Sequence, residues 1–152
     1  MQAPAPKPQH DWLRQWVGEW HIESNAGGFK MTGTEIIRPL GKLWIIGEGN
    51  DDRGSENGQS RITLGYDPAK GRFVGSWVGA MMDMQWVYDG ELEGNTLTLH
   101  CEGPDFDGSG RIARYKDVFE LVDLDHRVLH AWTENKDGQW TEFMTAQYRR
   151  VQ

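Results

Sequence analysis

From Trp20 onward the sequence is a succession of short strand-like segments cut by turn residues, and no other feature constrains the fold as much. The segments fall near residues 20–24, 29–39, 43–49, 59–66, 72–79, 84–92, 96–102, 111–122, 126–134 and 139–149. Between them lie Leu40-Gly41, Asp67-Pro68-Ala69-Lys70-Gly71, Gly94-Asn95 and Lys136-Asp137-Gly138, which carry turn chemistry. Connections this short cannot carry a crossover, so successive strands pair as antiparallel neighbours. Residues 50–58 and 103–110, rich in Gly, Asp and Ser, read as longer loops.

About ten sequential strands leave two open edges if the sheet stays flat, and closure removes both. The expected fold is all-β: a closed antiparallel up-and-down barrel, wide enough to enclose one small ligand. Composition agrees, because 11% aromatic residues and 19 glycines suit a curved sheet with an aromatic core. The one helical signal is His10 to Val17, where Trp12, Leu13, Trp16 and Val17 share a face and Gly18 ends the run. That apolar face must be buried, and one end of the barrel is the place for it. Residues 1–9, with Pro4, Pro6 and Pro8, read as a disordered tail, leaving 10–152 as one domain.

Charge and motifs exclude several functions. A formal net charge of −7 repels phosphate and anionic lipid, so neither nucleic acid nor membrane is expected as a partner. One cysteine, Cys101, forms no internal disulfide and fits a reducing, cytoplasmic setting. No segment has the ~18 apolar residues of a membrane helix, and Met1–Gln9 lacks the apolar core of a signal peptide. Phosphate loops, nucleophile elbows and zinc-protease motifs do not occur. Asp105-x-Asp107-x-Ser109 has some calcium-loop spacing without the downstream glutamate and reads as a solvated loop.

Hairpin register selects the inward face. A two-residue turn at Gly94-Asn95 puts Trp86, Tyr88, Leu92, Leu97, Leu99 and Cys101 inside and His100 outside. A turn at Leu40-Gly41 groups Glu35, Ile37, Trp44, Ile46 and Glu48 on one face. With Trp44 inward, both glutamates follow it and need partners or a solvated mouth. A turn at Leu124-Asp125 groups Tyr115, Asp117, Phe119 and Leu121 with Val128, His130, Trp132 and Glu134. A three-residue loop at 136–138 adds Trp140, Glu142 and Met144 to that face. Asp117, His130 and Glu142 then share the interior. They could form a satisfied core network, orient a ligand, or supply a base. Trp77 should lie across from Trp86. At Gly18-Glu19-Trp20 the helix gives way to the first strand, and Arg149 or Arg150 of the neighbouring last strand can cap that Trp.

Many stretches resemble one bacterial family. They include Val17-Gly18-Glu19-Trp20, Thr32-Gly33-Thr34-Glu35, Leu43-Trp44 and Leu64-Gly65-Tyr66-Asp67-Pro68. Others are Phe73-Val74-Gly75 with Trp77, Glu102-Gly103-Pro104, Tyr115 with Asp117, His126-Arg127, and Tyr148 with Arg150. The sequence is similar along nearly its whole length to the family called domain of unknown function 1579. Trp16 departs from it, since such sequences usually carry leucine there. The resemblance implies a lipocalin-like barrel and no settled reaction. More distantly, Gly-x-Trp with the terminal arginine is similar to calycins, a group that includes lipocalins, fatty-acid-binding proteins and haem-binding nitrobindin-like barrels.

The expected function is binding of a small apolar or aromatic ligand inside the barrel. Trp44, Trp77, Trp86, Tyr88, Tyr115, Trp132 and Met144 would line the cavity, and Asp117, His130 and Glu142 would orient one polar end. No cofactor, catalytic residue or metal ligand is assigned. Three alternatives stand beside this reading: haem held by His130, an enzyme using His130 with Asp117, and a homodimer with a vestigial cavity.

Overall fold

In the computed structural model, which describes residues 1–152, each expected segment is a strand. They are β1 (Gly18–Ala26), β2 (Phe29–Leu40), β3 (Trp44–Asp51), β4 (Ser60–Asp67), β5 (Arg72–Gly79), β6 (Trp86–Glu93), β7 (Thr96–Pro104), β8 (Ile112–Asp123), β9 (His126–Glu134) and β10 (Trp140–Arg150). A 3₁₀ turn at Glu56–Gly58 interrupts the β3–β4 connection. All neighbours are antiparallel, and β10 returns to β1 from Trp20↔Arg150 to Ala26↔Met144, so the barrel closes. No strand edge is left to pair with another chain.

The hairpin with the clearest turn has the expected register. Gly94, at φ +60°, turns β6 into β7, and Leu92↔Leu97 and Gly90↔Leu99 follow. Leu97 and Leu99 are buried, while His100 faces out and meets Glu91 at 2.9 Å. Trp77 lies opposite Trp86.

Two registers differ from expectation, each for a local reason. The β2–β3 connection spans Gly41-Lys42-Leu43, so Leu40 pairs with Trp44 and Ile37 with Gly47. That offset turns Ile45 inward and sends Trp44, Ile46 and Glu48 to the outer wall; Glu35 and Ile37 stay inside. Trp44 is 38% exposed and lies over Gly65, its partner on β4, where a Cβ would collide with the indole. The second difference is a β-bulge between Leu121 and Asp123. One extra residue exchanges the faces of everything beyond it on β9. Arg127, Leu129 and Ala131 therefore point inward, opposite Leu121, Phe119 and Asp117, and Val128, His130 and Trp132 belong to the opposite face. A further bulge between Glu142 and Met144 brings Met144 back inside, opposite Ala131.

The helix α1 runs Pro8–Arg14, earlier than the periodicity suggested, because Pro8 occupies its first turn. His10 fixes the start: Nδ1 accepts from the Lys7 backbone N–H at 2.8 Å, which leaves Nε2 to donate to Tyr66 O at 2.9 Å. Trp12, Leu13 and Trp16 are buried in the end of the barrel. Trp12 Nε1 donates to Asn95 Oδ1, and Trp20 Nε1 donates to Trp16 O. Arg150 locks this end. Its guanidinium lies 4.4 Å from the Trp20 ring and donates to the carbonyls of Val17, Gln15 and Leu124. Gly18, at φ +142°, lets it pass, since a Cβ there would strike Nη1.

Arg150→Ala removes a charged donor from three carbonyls at the chain's closing seam. It should lower unfolding free energy by about 2–4 kcal/mol in urea titration, with the tryptophans of the plug becoming easier to quench by acrylamide.

Candidate functional site

The barrel interior has two halves. At the plugged end Trp16, Trp20, Phe119, Leu121 and Leu129 fill the section. Arg127 sits among them, 1% exposed, and donates to Glu35 Oε1 at 2.6 Å. Its guanidinium lies 4.1 Å from the Tyr148 ring, 4.4 Å from Trp16 and 4.9 Å from Trp20. A buried charge needs an opposite charge, and the glutamate that β2 carries inward supplies it. The Arg127 Nε and Trp16 Nε1 hydrogens remain without acceptors.

Toward the other end the interior opens. Ile22, Trp77, Asp117, Met144 and Tyr148 point inward and are half-buried, whereas the residues of the plugged end are sealed. Asp117, brought inward by the alternation of β8, accepts a 2.8 Å hydrogen bond on Oδ2 from the Tyr88 hydroxyl of β6. Burial pushes its carboxyl up to about 6, with the Tyr88 bond opposing the shift. Burial, then the Asp117 charge, raises the Tyr88 hydroxyl well above its ordinary value. The same two causes lift the Cys101 thiol to about 12, which makes it an inert lining group. Burial and the Glu35 charge raise the Tyr148 hydroxyl in the same direction.

Two loops overhang this open end. In residues 80–85 Met82 Sδ accepts from Trp86 Nε1 at 3.2 Å. In residues 105–111 Phe106 packs edge-on against Tyr115, with ring centres 5.6 Å apart, and reaches Phe143 at 6.2 Å. A cleft of about 510 Å³ lies between them, bordered by Met81, Met84, Pro104 and Phe106. Phe106 is 60% exposed, and Phe29 and Met81 add further bare apolar surface at the same rim. Asp105 pairs with Arg111 at 2.9 Å, and the Asp105 and Asp107 carboxylates accept backbone N–H groups two residues on. That acidic loop is occupied by its own turns.

A family model described as a protein of unknown function, DUF1579, matches residues 5–150. The chain belongs to that family. No curated protein matches the sequence of this DUF1579 chain. Among solved structures it is similar to Rv2717c from M. tuberculosis, with TM-score 0.60 and 12% identity, covering 97% of this chain and 100% of that one. It is also similar to the S-type phycobiliprotein lyase CPES from Guillardia theta, with TM-score 0.52 and 14% identity, covering 97% and 99%. At these identities the likeness is one of fold.

The DUF1579 barrel divides the residues singled out from sequence. Trp77, Trp86, Tyr88, Tyr115, Asp117 and Met144 share the interior. Trp44, His130, Trp132 and Glu142 lie on the outer wall, a correction that follows from the β2–β3 connection and the β8–β9 bulge. His130 and Glu142 do meet, at 3.0 Å, but on the outside, where His130 is 40% exposed. Trp132 and Trp140 lie under the Lys116 ammonium, at 5.7 and 4.4 Å. The wall separates His130 from Asp117, so they form no acid–base pair, and His130 cannot ligate a haem inside. His21 and His100 also face out, His126 binds Gln147, and His10 is held in the plug, so no histidine lines the open half. No three His, Cys, Asp or Glu side chains are grouped to hold a metal. No helix is long and apolar enough to cross a membrane. Arg127 and Tyr148 escaped the sequence reading as interior groups. Arg127 turns inward through the β8–β9 bulge, and an extra residue in a strand has no composition of its own; Tyr148 shares the parity of Met144, and nothing in its composition singled it out.

Arg127→Ala leaves Glu35 inside without a cation and should cost about 3–5 kcal/mol in chemical denaturation. Adding Glu35→Gln should recover a large part of that loss. Asp117 gives a pH signature. Its carboxyl takes a proton near 3.8 when unfolded and near 6 when folded, so the protonated form favours the fold. This contribution is complete below about pH 4 and is lost as pH rises through 6. Between pH 4 and 7 the native protein should therefore lose about 1–3 kcal/mol relative to Asp117→Asn, measured by urea midpoints across pH. Parallel curves for the two proteins would contradict the assignment.

Proposed function

We propose that this chain is a binding protein holding one small, mostly apolar or aromatic molecule in the open half of the barrel. Trp77, Trp86, Tyr115 and Met144 contact its body, and Asp117, Tyr88 and Tyr148 receive its polar end. The observation that carries this reading is Asp117: an inward carboxylate with one hydrogen bond, beside accessible space in an aromatic-walled lumen. Burying a carboxylate lowers stability unless something pairs with it, and packed cores avoid the arrangement. A few convergent polar groups in an apolar concavity are what small-molecule sites present. The methionine and phenylalanine rim provides a passage that adapts its shape to the guest. The fold shared with the two solved barrels supports the enclosure and leaves the ligand open.

The test uses N-phenylnaphthylamine, an aromatic fluorophore that brightens in apolar surroundings. It should bind with 1:1 stoichiometry and receive excitation energy from the interior tryptophans. Met144→Trp, which places an indole in the lumen, should weaken binding by about tenfold or more, with folding checked by thermal melting. Failure of the native protein to bind this probe or any other small aromatic compound would sink the proposal.

A further inference from the structure

The interior charges do not balance. Glu35 is answered by Arg127 at 2.6 Å. Asp117 has no cation within reach: its partner is the neutral Tyr88 hydroxyl, and the titratable groups around it are Cys101 of β7 and Tyr148 of β10, both neutral at physiological pH. Oδ1 of Asp117 accepts no hydrogen bond and is not sealed off, since the only fully buried side-chain polar atoms without partners are Trp16 Nε1 and Arg127 Nε. The Asp117 oxygen thus keeps some accessible surface inside the barrel. The inward side chains nearby are aromatic: Tyr88, whose hydroxyl meets Asp117, and Tyr115, with Trp77 and Trp86 one step nearer the mouth. A carboxylate without a cation, set among aromatic side chains, fits a cation by charge.

Resting on the binding function above, we infer that the molecule held in the barrel is an organic cation: a protonated amine on an aromatic or apolar body, its ammonium donating to Asp117 among the aromatic side chains of the interior. An anionic ligand is disfavoured, because the one interior guanidinium is 1% exposed and already engaged by Glu35. The amine supplies the positive charge that the lumen lacks, as Arg127 does for Glu35 one level deeper. The chain's net charge of −7 draws cations to the mouth before they enter.

Three compounds of one shape separate the possibilities: naphthylmethylamine, naphthylmethanol and naphthoate, titrated calorimetrically and by quenching of interior tryptophan fluorescence near neutral pH. The amine should bind about tenfold or more tighter than the alcohol, and the naphthoate more weakly than either. The amine-to-alcohol ratio should approach one in Asp117→Asn. In the native protein it should also shrink as pH falls below 6, where Asp117 takes up a proton. The pH series keeps the test sharp even if the variant folds poorly. Equal binding of amine and alcohol, or a preference that survives in Asp117→Asn, overturns the cation assignment and leaves the binding function standing. No binding by any of the three, with N-phenylnaphthylamine also excluded, overturns both.

Discussion

The structure depends on one buried ion pair that spans the seam of the barrel. β1 and β10 come from opposite ends of the chain, and their pairing is the contact that closes the ring. Closing so long a loop is the entropically costly step of a barrel, and it must be held by interactions made only when it is complete. Glu35 belongs to β2 and Arg127 to β9, so their bond crosses over both seam strands. The guanidinium lies against Trp20 of β1 and Tyr148 of β10 as it does so. Arg150 does the complementary work from outside, tying the last strand to the helix end and to Trp20. An ion pair in this position need not add stability over a well-packed apolar substitute. What it does is make the closed register the one arrangement in which neither charge is stranded.

That clasp also fills one end of the barrel. Three tryptophans, Phe119 and the paired charges occupy the plugged half, and nothing is left there to accommodate a ligand. Small inward residues such as Ala131 and Gly103 then matter in the other half, because they leave the lumen to the large residues around them. Trp86 packs where a Cβ on Gly103 would be. One barrel therefore has a sealed base and a top whose inward side chains stay partly accessible.

Strand number, strand order, the plug and the arginine over Trp20 were all legible in the sequence, because each rests on local chemistry: turn residues, alternation, a short amphipathic face. Faces were legible only as far as the turn that set them. Gly94-Asn95 admits one register, and the side chains of β6 and β7 follow from it. Leu124-Asp125 suggested an equally clear register, but the extra residue at Val122 reversed β9. His130 and Trp132 thus read as interior groups, and Arg127 is given no inward place. The same parity argument places Asp117 inside, since its direction depends on no bulge, whereas it places Glu35 inside through Trp44, which faces out. Bulges escape such a reading because they are chosen by barrel curvature, a property of all ten strands together.

The two inward carboxylates are the most informative comparison the molecule offers. Both lie on strands whose alternation turns them inward. Glu35 is matched by a cation of the chain itself and is sealed. Asp117 is matched by a hydroxyl and is open. A fold that can place an arginine opposite one carboxylate could place one opposite the other, at Ala131 or Met144 for instance, and it has small or flexible apolar residues there instead. The unpaired charge weakens the empty protein, and a molecule that neutralises it recovers that free energy on binding. Stability and occupancy are then linked through one side chain: whatever pairs with Asp117 also tightens the barrel around itself.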